Sequence, residues 1–161
     1  MAVDTEVLAA DEVADILNDL LENARDGEYG FRTCAEEVKS PEMKRLFSDR
    51  ATSCAQAASE LSQLILAQGG KPAEGGTATG AMHRGWVHVK GMVGANSDLS
   101  MLEECERGED AAMARYRKAL KYNLPGDVRG VVERQAEGAQ RNHDQIKMPV
   151  SYTHLTLPTK A

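Results

Sequence analysis

The stretch DEVADILNDLLENARDGEYGFRTCAEEVKSPE, from Asp11 to Glu42, carries the pattern that decides the fold. Its apolar residues recur at steps of three, four or seven, which predicts an amphipathic helix from Asp11 to Lys39. Ser40, Pro41 and Glu42 then mark a stop and a restart. Serine suits the N-cap of a second helix, proline its first position, and glutamate its positively polarised end. Two long helices joined by so short a turn predict an antiparallel helical hairpin.

The same helical spacing continues through the rest of the chain. It predicts a second helix from Pro41 to about Gln68, a third from Asn96 to Tyr122 and a fourth from Pro125 to about Lys147. Gly69-Gly70 is a typical end for the second helix. A short turn at Asn123-Leu124 makes the last two helices a second hairpin.

The link between the two hairpins, residues 69–96, is long. A helix of this bundle measures roughly 40 Å at 1.5 Å per residue, and the link can cross that length. The second and third helices are therefore expected to run in the same direction, with a short helix at Ala81–Val93 in the crossover and Trp86 as its apolar plug. One long crossover is the ferritin-like form of the four-helix bundle, so the sequence predicts an all-α, ferritin-like fold.

Composition narrows the class of protein. The chain has 161 residues, which fits one domain, predicted to span residues 1–148. A net charge of -6 argues against a nucleic-acid partner, which requires clustered Lys and Arg. No apolar run approaches the roughly 20 residues that span a membrane, so no membrane partner is expected. Acidic residues and no cationic segment at the N-terminus predict a cytoplasmic protein. Cys34, Cys54 and Cys105 are predicted to be reduced thiols, because they are odd in number and far apart.

The last residues have a different character. Val150 to Thr159, VSYTHLTLPT, is rich in Thr, alternates apolar and polar residues and follows Pro149. As a pattern it would be a lone strand, which is unstable in water. It also resembles a translated sequencing adapter, so residues 149–161 are predicted to be a non-native tail that hides the native C-terminus. The alternative is a genuine edge strand or docking peptide.

Four stretches together resemble a known family: LNDLLENARDGEYGF at Leu17–Phe31, AMHRGWVHVK at Ala81–Lys90, LEECERGEDAAMARYRKAL at Leu102–Leu120 and VERQAEGAQRNHD at Val132–Asp144. They resemble the bacterial ferritin-like four-helix-bundle family called domain of unknown function 2383. The resemblance covers Leu17 to Lys147. It implies the fold and no established activity.

Three polar residues lie on apolar stripes: Glu28 in the first helix, Glu109 in the third and His143 in the fourth. A buried carboxylate costs several kcal/mol unless it is paired or metal-bound. We expect all three to converge on the interior, where they are the candidate metal ligands of an incomplete site. The alternative is that Glu28 and Glu109 are satisfied by His143, Tyr116, Arg32 or water, or that the residues are exposed.

A di-iron bundle takes one Glu from each of two helices and Glu-x-x-His from each of the other two. Here Gln140 precedes His143 where a Glu is required, and Ser53 and Gln56 stand where the second helix should supply Glu and His. Three of six ligands are missing, so a working dimetal centre is not expected.

The predicted function is therefore that of a bundle of unknown biochemical role, a non-catalytic stress-related or scaffold protein with a degenerate di-iron ligand set. It is expected to act through self-association or a protein partner, and no cofactor is expected. The alternative is an iron-binding redox or storage protein that uses the incomplete Glu/His site. A third possibility is a small-ligand bundle with its pocket near Trp86.

Overall fold

The structure, a computed structural model, describes residues 6–73 and 97–156, with side chains described to residue 73 and from residue 98 to residue 145. These ranges contain four helices and no strand: α1 Ala10–Glu37, α2 Pro41–Ala67, α3 Ser97–Leu120 and α4 Gly126–Thr156. Among the described residues, none of the helices combines the length and the apolar character needed to cross a bilayer. The predicted crossover helix at Ala81–Val93 and the plug Trp86 lie outside the described residues.

The predicted helix ends between α1 and α2 and after α2 are confirmed. Ser40 is the N-cap of α2, and its Oγ accepts a hydrogen bond from the backbone N of Met43 at 3.3 Å. Beyond α2, Gly69 adopts a φ of 78°, which a residue with a Cβ rarely adopts. Gly70 N then donates to the carbonyl of Ile65 at 2.9 Å, so two otherwise orphaned groups at this helix end are paired.

Contacts at both ends of the bundle give the directions of the helices. The carboxylate of Asp98, at the start of α3, accepts hydrogen bonds from the backbone N of Lys39 and of Ser40, each at 3.1 Å. Near the other end of α3, Arg115 binds Asp19 near the start of α1 at 3.0 Å. Helices α1 and α3 are therefore antiparallel, and α2 and α3 run in the same direction. This is the ferritin-like topology that the long link predicts.

The buried apolar side chains form two clusters, one towards each end of the bundle. The first unites the start of α1, the end of α2, the end of α3 and the start of α4, and its fully buried members include Leu17, Leu61, Val128 and Val132. The second joins the end of α1, the start of α2 and the start of α3, around Phe31, Phe47 and Leu102. Between the two clusters the interior is polar, and this middle layer holds the candidate site.

Helix α4 extends further than the sequence predicts. It was expected to end at about Lys147, but it continues through Pro149 to Thr156, so this part of the tail is helical and not a strand. A proline removes one intrahelical hydrogen bond and crowds the preceding turn, and a long helix can bend there and continue. The foreign origin of residues 149–161 stays a prediction.

Candidate functional site

A cavity of about 920 Å3, partly open to solvent, lies in the middle layer between the two apolar clusters. All four helices line it, through Gly27 of α1, Cys54 of α2, Glu109 of α3 and Ala139 of α4 among others. Glycine and alanine recur on its walls, because small side chains leave space that larger ones would fill. Ser53 and Gln56, the two positions at which α2 departs from a di-iron ligand set, also line it, but both residues are exposed and lie on its solvent-open side.

Gly27 marks the closest approach between α1 and α2 in this layer. A Cβ on this residue would lie 2.7 Å from Cys54 Sγ, which is shorter than any ordinary contact. The pairing brings the thiol into an enclosed place, where burial raises its pKa to about 12 and nearby Glu109 and Glu28 act in the same direction. Cys54 is therefore a protonated packing group at neutral pH and not a nucleophile.

Glu109 projects from α3 into the interior beside Arg50 of α2. The two residues are only 5% and 6% exposed, and Arg50 Nε lies 4.0 Å from Glu109 Oε1. This distance is too long for a hydrogen bond, and neither of these two atoms has a hydrogen-bond partner within the described part of the chain. Arg50 also binds the side chain of Gln145 on α4 through Nη2.

Two opposing effects act on the pKa values of this pair: burial of the two charged groups and the attraction between them. Burial raises the pKa of Glu109 to about 7, although Arg50 and His143 lower it and Asp110 raises it further. Burial also lowers the pKa of Arg50, against the attraction of Glu109. A guanidinium stays protonated in proteins, so the interior holds one fixed positive charge beside a carboxyl group that titrates near neutrality.

The ionic partner of Glu28 lies on its own helix and is not one of the other two predicted metal ligands. Its carboxylate binds Arg32 one turn along α1 at 2.8 Å, and its side chain is 33% exposed. Glu28 is close enough to Cys54 to influence the pKa of that thiol. The structure therefore places it at the edge of the middle layer, tied to its own helix.

His143 faces α3 rather than the cavity. Its Nε2 lies 2.5 Å from Asp110 Oδ1, and its Nδ1 lies 3.4 Å from Asp144 Oδ1. Gln140, the position that lacks the expected Glu, is exposed and donates a hydrogen bond to Asp144. Of the three predicted ligands, the structure thus brings Glu109 alone to the cavity wall. Whether any of the three binds a metal stays a prediction.

A hydrogen-bonded chain on the same cavity wall was not anticipated. Tyr116 of α3 donates to Gln135 of α4 at 2.9 Å, and Gln135 Nε2 donates to Glu60 of α2 at 2.7 Å. Arg134 completes it by binding the same carboxylate, and its hydrogen bond lowers the pKa of Glu60. The chain ties three helices together. The sequence spacing gave no signal for it, since these partners lie on different helices.

Arg50, the other residue that the sequence analysis missed, did leave a signal. It lies three residues after Phe47 and four before Cys54, and both are on the predicted apolar stripe of α2. A charged residue at a stripe position is expected to be buried or to reach the edge of the core. The predicted site did not include Arg50 and therefore lacked the partner of Glu109.

Two cysteines that are 71 residues apart meet in the second apolar cluster. Cys34 Sγ of α1 and Cys105 Sγ of α3 lie 3.4 Å apart, and both residues are fully buried. All three cysteines are free thiols, as predicted. Burial and the neighbouring Cys34 raise the pKa of Cys105 well above its usual range, so neither chemistry nor exposure favours a thiolate here.

The chain is similar to a described protein family and to a solved structure. The family model described as Domain of unknown function (DUF2383) matches residues 12–122, from the start of α1 to the turn after α3. The chain belongs to this family. The resemblance drawn from its sequence motifs is thereby confirmed, and DUF2383 as described assigns no activity.

A solved structure shows the fold of this DUF2383 protein independently of sequence. A mutant of Dps1 from Mycobacterium smegmatis matches with a TM-score of 0.76 over 92% of this chain and 99% of that one. Their identity is 16%, so the similarity shows the fold alone. No curated protein matches the chain.

Proposed function

We propose that this protein is a non-catalytic ferritin-like bundle, a scaffold or stress-related protein whose middle layer is a degenerate di-iron site. One observation carries the proposal: Arg50 lies inside the bundle beside Glu109. In a dimetal protein, buried carboxylates are balanced by metal cations. Here a guanidinium supplies positive charge beside Glu109, and it would repel a metal cation at that carboxylate.

The other ligand positions support the same conclusion. Ser53 and Gln56 offer a hydroxyl and an amide where two ligands would be needed, and neither carries a charge that could balance iron. Glu28 is paired with Arg32, and His143 with Asp110. The residues present therefore do not fit a di-iron centre, and no reaction step is assigned to one.

The test adds Fe(II) to the full chain without oxygen, measures the bound iron, and then follows oxidation when air is admitted. We expect no site that binds two irons stoichiometrically and no oxidation faster than that of free Fe(II). Two irons per unmodified chain, or rapid oxidation, would overturn the proposal.

Two variants with added metal ligands, one that keeps Arg50 and one that lacks it, test the role of this residue. The change Ser53→Glu with Gln56→His adds two ligands to the cavity wall, and a second variant adds Arg50→Met to these. If the guanidinium excludes the cation, iron affinity should rise more in the variant without it. Equal affinities in the two variants would show that Arg50 is not what keeps iron out.

We propose that the protein acts by associating with a second copy of itself. Among the described residues, three large apolar side chains are exposed: Val7, Leu66 and Tyr122. All three belong to the end of the bundle at which the chain before α1 contacts the turn after α3, through Leu8 N and Asn123 O. A homodimer formed through this end would bring the same three side chains of both copies together across a two-fold axis.

Sedimentation velocity over a range of concentrations tests the association. The full chain should dimerise, and Leu66→Glu should shift it towards the monomer. Ser48→Glu, which adds the same charge at an exposed position nearer the other end of α2, should leave the dimer intact. A monomer at every concentration would contradict self-association.

A further inference from the structure

A group of metal-ligating side chains lies outside the cavity, where α3 and α4 pack together. Glu106 and Asp110 are four residues apart on α3, so they lie on one face of that helix. His143 reaches them from α4. One ligand atom from each of the three residues lies within 4.8 Å of the other two. None of the three lines the middle-layer cavity.

This group is open to solvent on one side and closed on the other. The side chain of Asp110 is 60% exposed, whereas that of His143 is only 13% exposed. An ion could therefore reach the carboxylates from solvent and still find the imidazole held in place. Water would complete its coordination on the exposed side.

The imidazole is oriented as in known metal sites. A histidine that binds a metal through one nitrogen commonly donates its other ring N–H to a carboxylate, which fixes the ring and its tautomer. Here Nε2 points to Asp110 and Nδ1 lies 3.4 Å from Asp144 Oδ1. Asp144 is itself held by a hydrogen bond from Gln140 Nε2 at 3.1 Å. Asp144, held by Gln140, therefore orients the ring so that Nε2 faces the two carboxylates.

We propose that Glu106, Asp110 and His143 bind one divalent transition-metal ion, through one imidazole nitrogen and two carboxylate oxygens. The ion would take the place of the direct contact between His143 Nε2 and Asp110 Oδ1. Zn2+, Co2+ and Mn2+ accept such mixed nitrogen and oxygen ligands, whereas Ca2+ and Mg2+ prefer oxygen alone. The site is separate from the middle layer and would hold α3 to α4.

The test uses the full chain after treatment with a chelator. Zn2+ is titrated by competition with a chromophoric chelator, and Co2+ is followed by its visible absorption. We expect one ion per chain and a Co2+ spectrum that indicates nitrogen coordination. Asp110→Asn and His143→Gln should each weaken binding roughly tenfold or more, and Asp144→Asn about tenfold through the orientation of the ring.

Matched controls separate this site from general attraction to an acidic surface and from other histidines. Glu103→Gln removes an exposed acid from the same helix, and His88→Gln removes a histidine from the crossover sequence. Both should bind the ions as the unmodified chain does. Circular dichroism of each variant shows whether α3 and α4 are still folded.

Loss of affinity in His143→Gln but not in His88→Gln would support the site. Equal affinity in the unmodified, Asp110→Asn and His143→Gln proteins would overturn it, and so would Mg2+ competing as well as Zn2+. The result is independent of the proposed function, because that proposal concerns two irons at the middle layer and this one a single ion outside it.

Discussion

Arg50 Nε lies 4.0 Å from Glu109 Oε1 in the polar middle layer of the bundle, and both residues are more than nine-tenths buried. Removing two charged groups from water is costly, and their attraction offsets the cost only when the geometry is good. At this separation the two facing atoms make no hydrogen bond, so the pair is a poor source of stability.

Replacing only one residue of this pair should destabilise the protein more than replacing both. We expect Arg50→Met to destabilise the protein by about 3 kcal/mol, because it leaves the Glu109 carboxylate buried without a cation. The double change Arg50→Met with Glu109→Leu should recover most of that loss. Urea unfolding at pH 8 measures both. A double variant no more stable than Arg50→Met would show that an unpaired Glu109 is not the cause of the loss.

The raised pKa of Glu109 predicts a dependence of stability on pH. Burial moves the pKa from 4.5 to about 7, so between these values the folded protein holds a proton that the unfolded chain has released. The contribution of Glu109 to the free energy of unfolding is therefore fully present below about pH 4.5 and falls as pH rises towards 7. A shift of this size corresponds to roughly 3 kcal/mol.

Glu109→Gln should flatten this dependence. Relative to the unmodified protein, the variant should gain stability between pH 5 and pH 8, measured by urea unfolding in a chelator so that no metal contributes. Glu103→Gln, at an exposed position of the same helix, should keep the original slope. An unchanged slope in Glu109→Gln would mean that Glu109 is ionised throughout.

The close approach of Gly27 to Cys54 predicts a rescue experiment. Gly27→Ala would place a Cβ 2.7 Å from Cys54 Sγ and should cost roughly 1–3 kcal/mol through overpacking. Adding Cys54→Ala removes the sulfur and should recover the loss, because Cys54 Cβ lies 3.7 Å from the new atom. Thermal unfolding of the two single variants and the double variant measures the coupling. Additive effects would show that α1 and α2 do not meet at this point.

The N-cap of α2 should affect the stability of the protein but not any binding activity. Ser40→Ala removes the acceptor of the hydrogen bond from Met43 N and should cost about 1 kcal/mol. Ser48→Ala, at an exposed position within the same helix, should not destabilise the protein. Equal behaviour of the two variants would indicate that another group satisfies this helix end.

The tail should be dispensable. A chain ending at Lys147 should unfold within about 2 °C of the full chain, because a foreign terminal segment is not expected to add to the packing of the bundle. The extension of α4 to Thr156 does not alter this expectation, because a short stretch of helix contributes little stability by itself. A large fall in the melting temperature would show that residues 149–161 belong to the native protein.

The sequence by itself determined the helices and their order. Apolar spacing located α1 to α4, Ser40 and Gly69 marked their ends, and the length of the link indicated the direction of α3, because all of these are local properties of the chain. The same periodicity identified Glu109 as an interior residue. Arg50 was not predicted, although its spacing from Phe47 and Cys54 is that of an interior position.

Only the tertiary structure decided which side chains meet. Glu28 and His143 occupy the stripes that the sequence indicates, yet their ionic partners are Arg32 and Asp110 and not Glu109. Helical spacing fixes the face on which a residue lies to within a wide arc, whereas a shared site requires a match of a few tenths of an ångström between helices. Rotation and sliding of packed helices set that match, and they depend on every contact between the two hairpins at once.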